Sequence, residues 1–125
     1  MAQTAARVDM VISNNATWED AFQFGTVGDT SWSFIGKSFF TDIKGTRDDP
    51  NPLLSLSSGG GTIVVDDPVG RTLHFFVDDD TIVGSLPITV DCDPYVYDLV
   101  MVDNSDGSRT VLMSGKLYVE QGITL

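Results

Sequence analysis

Apolar and polar residues alternate along most of this chain, and a period of two residues is the period of a β-strand. The segment KSFFTDIK, residues 37–44, shows it most clearly. One parity holds Phe39, Thr41 and Ile43, and the other holds Phe40, Asp42 and Lys44. Strands of an antiparallel sheet with one buried and one solvated face have this pattern. The alternation therefore predicts an all-β chain of antiparallel strands.

Further segments with a strand pattern are separated by clear turn signals. They are residues 7–12, ATWEDAFQFG, LLSLS, TIVVDD, RTLHFFVD, DCDPYVYDLVMVD and SRTVLMSGKLYVEQ. Between them lie TRDDPNP, the glycine run 59–61, DDPVG, and an Asp-Gly pair in the last loop. Residues 79–83 break the alternation and predict one helical turn. About eight short strands with at most one helical turn indicate a β-sandwich or a barrel.

The run DCDPYVY favours the sandwich. Its Asp91, Tyr95 and Tyr97 have the spacing of the Asp-x-x-x-Tyr-x-Cys run in an immunoglobulin-like strand F. Tyr95 is then the corner tyrosine, whose hydroxyl bonds to the main chain, and Tyr97 replaces the disulfide cysteine. We predict a single antiparallel β-sandwich over residues 1–125, immunoglobulin-like or related. Its ends, 1–6 and 121–125, either order on assembly or fray.

Charge and composition exclude several classes of partner. The chain carries a net charge of −11, which opposes binding to the phosphates of nucleic acid and to anionic membranes. No segment has the ~20 apolar residues of a membrane span. Cys92 is the single cysteine and cannot form an internal disulfide. Because the start lacks a signal-peptide pattern, we expect synthesis in a cytoplasm.

Residues with catalytic potential are few and isolated in the sequence. The single histidine, His74, has apolar neighbours and no ligand or base partner at a useful spacing, so we expect a strand residue with one ring nitrogen bonded or facing solvent. Cys92 stands between Asp91 and Asp93, whose negative charge opposes a reactive thiolate. We therefore predict no catalytic, cofactor-binding or metal-binding residues, no cofactor, and no enzyme activity.

Aspartate clusters and two tryptophans leave alternatives open. The clusters are Asp48 and Asp49, Asp66 and Asp67, residues 78–80, Asp91 and Asp93, and Asp103 and Asp106. Such clusters either bind calcium through carboxylate oxygens or cap turns by bonding the local backbone. Trp18 and Trp32 are either a sugar-binding platform, as in a carbohydrate-binding module, or anchors in the core.

Five groups of residues follow, in order, the layout of one protein family. They are Thr17 and Trp18; Gly36, Phe39 or Phe40, and Ile43; Gly61, Ile63 and Asp66; Tyr95, Tyr97, Asp98 and Leu99; and Gly115, Val119, Gly122, Ile123 and Thr124. This layout resembles a family of small bacteriophage structural proteins found with tail, baseplate and fibre components. Its best-defined parts are YVYDL and SGKLYVEQGIT, whereas the DDPNPLL and DDDTIVGSLPITVDCDP loops depart from it.

The resemblance implies a non-enzymatic virion component, either a tail, baseplate or fibre adaptor or a capsid decoration protein. The expected partners are other virion proteins and further copies of the chain. Contacts of this kind are made by edge strands that pair with a partner or by clusters of apolar side chains. The first strand and the last, residues 112–119, are the candidate edges.

Overall fold

A computed structural model of the chain describes residues 6–26, 28–88 and 93–121. Within them lie nine strands and one short helix. The elements are β1 (Ala6–Arg7), β2 (Met10–Ser13), β3 (Ala21–Gln23), β4 (Lys37–Lys44), β5 (Leu54–Ser57), β6 (Ile63–Asp67), β7 (Thr72–Phe75), α1 (Asp79–Ser85), β8 (Tyr95–Asp103) and β9 (Arg109–Glu120). Among the described residues, no helix has the length and apolar character needed to cross a membrane.

The strands form two sheets. The larger has the order β1-β9-β8-β4-β5, with β2 also paired to β9, and the smaller has the order β3-β7-β6. All pairs are antiparallel except those of β1 and β2 with β9, which are parallel. The chain is therefore an immunoglobulin-like β-sandwich, and the predicted fold class is confirmed.

The core lies between the sheets and follows the predicted alternation. On β4, Phe39, Thr41 and Ile43 are buried while Phe40 and Asp42 are exposed. The smaller sheet contributes buried side chains from β6 and β7, among them Ile63, Leu73 and Phe75. The buried apolar residues of both sheets belong to one cluster. Burial of apolar side chains on the two inner faces therefore holds the sheets together.

The connection into β8 has the predicted corner geometry. Asp78 caps α1, its carboxylate accepting from the Thr81 amide at 2.8 Å. After the helix, the Tyr95 hydroxyl donates to the carbonyl of Pro87. Burial of this hydroxyl raises the pKa of Tyr95. The predicted helical turn and corner tyrosine are both confirmed; Asp91 and Cys92 of the same run lie outside the described residues.

Of the two predicted edge strands, the first lies at an edge and the last does not. β1 and β2 lie at an edge, but they are two short strands and not one, since the chain leaves the strand conformation at Val8 and Asp9. The last strand, predicted as an edge over residues 112–119, lies inside the sheet between β8 and the β1–β2 pair. That prediction was wrong because alternation within a segment does not show what pairs beside it.

The predicted free ends fall mostly outside the described residues, which exclude 1–5 and 122–125 and therefore Gly122, Ile123 and Thr124. Ala6, which the prediction assigned to the first free end, lies in β1 and pairs with Met113 of β9. This residue is therefore part of the sheet and not of a free end.

Candidate interaction surface

His74 is paired with an aspartate on the outer side of the smaller sheet. Its Nδ1 lies 2.8 Å from Oδ2 of Asp66, on the neighbouring strand β6. One ring nitrogen is thus bonded to a carboxylate, as predicted for a structural histidine.

Aspartates of the clusters cap turns. Carboxylate oxygens of Asp49, Asp67, Asp78, Asp103 and Asp106 accept hydrogen bonds from backbone amides two or three residues away. Among the described residues, no three or more histidine, cysteine, aspartate or glutamate side chains converge at metal-binding distances. The interpretation of these five residues as turn formers is confirmed.

Trp18 is buried inside the fold, and Trp32 is half-buried and packs against the core. Trp18 is 3% exposed, and its ring centroid lies 5.0 Å from that of Phe75. Trp32 lies beneath the guanidinium of Arg71, whose Cζ is 5.1 Å from the ring centroid, and packs edge-on against Phe34. Because a sugar platform needs an open ring face, these positions fit the interpretation as core anchors.

The outward side of the larger sheet carries side chains in successive rows across β4, β8 and β9. We name this side the banded face and define it by its four rows, taken from the strand registers. They are Ser38, Val102 and Arg109; Phe40, Val100 and Val111; Asp42, Asp98 and Ser114; and Lys44, Val96 and Lys116. Rows of a sheet on the same face are about 6.7 Å apart. The face therefore alternates between apolar, acidic and basic bands within a short distance.

The apolar row brings exposed apolar side chains together on adjacent strands. Phe40 is 42% exposed and Val111 is 40% exposed, and Val100 lies between them in the register. Three apolar side chains directly opposite one another on adjacent strands form a continuous contact surface. Such a surface at the centre of a polar rim is the usual make-up of a protein interface.

The acidic row sets two carboxylates opposite each other. Asp42 and Asp98 are cross-strand partners, and like charges in this position destabilise a sheet. Two neighbours offset the cost: Ser55 donates to Asp42 at 2.8 Å, and the Arg47 guanidinium lies 3.9 Å from Asp98. Because that ion pair is long and exposed, it compensates weakly, and both carboxylates remain available to a partner's cation.

Basic residues concentrate around the same face. Four of the seven lysines and arginines of the chain lie on it or beside it, namely Lys44, Arg47, Arg109 and Lys116. A depression of about 230 Å³ on this face is lined by three of these cations, Lys44, Arg47 and Arg109, together with residues of the apolar and acidic rows. In a chain with a net charge of −11, this grouping gives the banded face an electrostatic character different from the rest of the surface.

Arg71 is a structural residue that the sequence did not reveal. Its side chain is 1% exposed and donates to the carbonyls of Phe24, Thr26, Asp29, Trp32 and Val69 at 2.6–3.2 Å. It therefore ties the loop after β3 to the β6–β7 turn. A lone arginine after a turn motif has no sequence signal that marks it as buried.

Gly115 and Tyr97 fix the N-terminal edge. The Tyr97 hydroxyl donates to the carbonyl of Val8, and the Val8 amide donates to the Ser114 carbonyl at 2.9 Å. A Cβ at Gly115 would collide with the Val8 carbonyl. Burial, followed by the charges of Asp9 and Asp98, raises the pKa of Tyr97. A glycine inside a strand is a known sign of close backbone approach, so this contact could have been found from the sequence.

Comparisons with known proteins show a likeness in fold to solved structures and no family. No family model matches the chain, and no curated protein matches it. Among solved structures, it is similar to the NK cell receptor Nkp44, described as a triggering partner in natural cytotoxicity. That match has 14% identity and a TM-score of 0.46, and covers 94% of this chain and 100% of the other.

Proposed function

We propose that this chain is a non-enzymatic structural protein of a bacteriophage particle, a tail, baseplate or fibre adaptor that acts through protein–protein contacts. Its assignment to a phage rests on the ordered resemblance from Thr17 to the GIT ending. It is made in the cytoplasm of the host bacterium and incorporated into the virion with other virion proteins.

The observation that carries the binding role is the banded face. Phe40 and Val111 are exposed at the centre of a face whose rim holds charges of both signs. Apolar area at the centre excludes water from a contact, and rim charges select the orientation of the partner. This arrangement suits an adaptor that must bind one partner in one register.

The described residues also favour binding over chemistry. His74 and the turn aspartates have local structural partners, and both tryptophans are packed against other side chains. The carbohydrate-binding alternative depended on an open tryptophan ring. The proposed function needs none of these groups, since it uses the outer surface of the sandwich.

The test is the location of the chain in purified particles. Mass spectrometry of particles purified on a density gradient should detect the chain, and immunogold labelling should place it on the tail, baseplate or fibres. Labelling on the head would instead indicate a capsid decoration protein. Absence of the chain from purified particles would refute a virion role altogether.

A pair of matched variants tests whether incorporation of the chain into particles depends on the banded face. Phe40→Asp places a charge in the apolar row. Phe76→Asp is the control, because Phe76 directly follows β7 of the smaller sheet and is exposed to a similar degree, 47% compared with 42% for Phe40. We expect Phe40→Asp to reduce incorporation into particles and Phe76→Asp to leave it unchanged. Equal incorporation of both variants would contradict the use of the banded face.

A further inference from the structure

We propose that the banded face binds a second copy of this chain, in a two-fold symmetric pair with the strands of the two copies antiparallel. This proposal deepens the proposed function, since it rests on the claim that the banded face makes protein contacts. The partner is identified by the order of the rows, which makes the face complementary to itself.

A face-to-face dimer of identical chains must obey two-fold symmetry. Such a pair has its two-fold axis in the plane of the interface, and each patch meets the same patch of the other copy. If the axis runs across the strands along the row of Phe40, Val100 and Val111, that row meets itself. The exposed apolar side chains of both copies are then buried against one another at the centre.

The neighbouring rows are then brought into complementary pairs. The axis places the Arg109 row of one copy over the Asp42 and Asp98 row of the other, and the reverse contact is made by symmetry. Arg109 then lies opposite the partner's Ser114, one strand from the partner's Asp98, and its long side chain reaches that carboxylate. Oppositely charged groups at an interface fix its register.

The outermost rows agree with the same axis. Lys44 and Lys116 lie two rows from the axis on one side, and the β8–β9 loop lies at a similar distance on the other. That loop carries the exposed residue Asp106. Lys116 of one copy, which lies on β9, therefore approaches the acidic loop of the other. With the axis along the strands, by contrast, each row would face itself, so the acidic row would oppose the acidic row and the row of Lys44 and Lys116 would oppose itself.

The size of the face sets the expected affinity. Three strands about 4.8 Å apart and eight residues of about 3.3 Å each give roughly 380 Å² per copy, or about 760 Å² in total. This is below the standard size of specific interfaces and falls in the range of weak, transient contacts. We therefore expect a reversible dimer whose population depends on concentration.

A charge exchange tests the pairing. Arg109→Glu sets a new carboxylate one strand from the partner's Asp98 and within its reach in both halves of the dimer, and Asp98→Lys sets a new ammonium within reach of the partner's Arg109. Each variant alone should dissociate, with a dissociation constant raised by at least about tenfold. An equimolar mixture of the two variants should recover a one-to-one heterodimer, because each half then joins opposite charges.

Sedimentation equilibrium of the purified full chain measures these states, with thermal melts to confirm that each variant folds. Phe40→Asp should dissociate the dimer and Phe76→Asp should not; Val111→Asp replaces the first if it fails to fold. The proposal is overturned if the wild type is monomeric up to about 0.5 mM, which corresponds to affinities near the weakest specific range. It is overturned equally if folded variants keep the wild-type dimer, or if the mixture stays monomeric.

These outcomes are separate from those of the proposed function. A monomeric chain that is present in particles and needs Phe40 for incorporation would refute self-pairing and keep the virion role. A chain that forms a dimer through the banded face but is absent from particles would refute the virion role and keep self-pairing.

Discussion

Replacing Arg71 by alanine should destabilise the fold more than most single substitutions. The guanidinium is buried and donates to five backbone carbonyls, which belong to the loop after β3 and to the β6–β7 turn. A hydrogen bond to a charged group is worth about 1.5–3 kcal/mol, but bonds that share one donor group are not additive. Removal of the guanidinium leaves buried carbonyls without a donor, each at a cost of about 1–3 kcal/mol, and we expect a total loss of about 3–5 kcal/mol because some of these carbonyls regain water.

Two further substitutions separate the causes of this loss. Arg71 has a φ of 61°, a left-handed conformation that costs roughly 1–2 kcal/mol for a residue other than glycine. Arg71→Gly should therefore be less destabilising than Arg71→Ala by about 1 kcal/mol. Arg71→Lys keeps the charge but loses the planar fork of donors, and should fall between wild type and alanine.

The assay is urea unfolding followed by circular dichroism, with amide hydrogen exchange as a local measure. We expect the free energy of unfolding to fall by the stated amount, and exchange to accelerate in residues 28–32 before the rest of the sandwich. A loss below about 1 kcal/mol for Arg71→Ala would mean that water replaces the guanidinium at the carbonyls. The reasoning about this buried cation would then be refuted.

Four other measurements check other parts of the structure. Thr41→Val should raise the free energy of unfolding by about 1 kcal/mol, because the buried Thr41 hydroxyl has no hydrogen-bond partner among the described residues; a loss of stability would contradict this. Gly115→Ala should cost about 2 kcal/mol by displacing Val8, whereas Gly84→Ala in α1, with open space around it, should not destabilise. Because the pKa of Tyr97 is raised in the folded state, its contribution to the free energy of unfolding is complete below pH 10 and falls as the pH rises further. The free energy of unfolding of the Tyr97→Phe variant should therefore fall less above pH 10 than that of the wild type. The Lys37 ammonium, 2.7 Å from Asp103, lowers the pKa of that carboxyl, so stability should fall as the pH drops below about 3.8, and Lys37→Met should weaken this dependence.

The sequence predicted the elements well because their signals are local. Alternation on β4, the turn residues of DDPVG and the helical turn after Asp78 each depend on neighbours a few residues apart. The corner role of Tyr95 also depends on a short spacing, since its hydroxyl bonds to the main chain eight residues earlier. Local patterns of this kind are set by backbone geometry and hardly depend on the rest of the chain.

What the sequence did not predict depends on pairing across long distances. β9 was taken for an edge because nothing within it shows that Met10 pairs with Leu117 in a parallel register. The banded face was missed for the same reason. Phe40, Val100 and Val111 are distant in the chain, and they form a row only once the registers of β4, β8 and β9 are known.

The edges of the sandwich give a reason to expect contacts through faces and not through added strands. A strand offers a template for pairing when it is long, flat and unpaired on one side. Here the edge strands are short: β1 has two residues, β2 and β5 have four each, and β3 has three. β6 is interrupted by a register shift between Val65 and Asp67. Of the longest strands, β8 has neighbours on both sides, and β9 pairs with β1 and β2 at residues 113–114 and 117–120, which leaves a stretch of four residues, 109–112, paired with β8 alone. The outward side chains of these strands remain available for contacts, and they form the banded face. Substitutions on this face should therefore change association while the hydrogen bonding of the sheets stays intact.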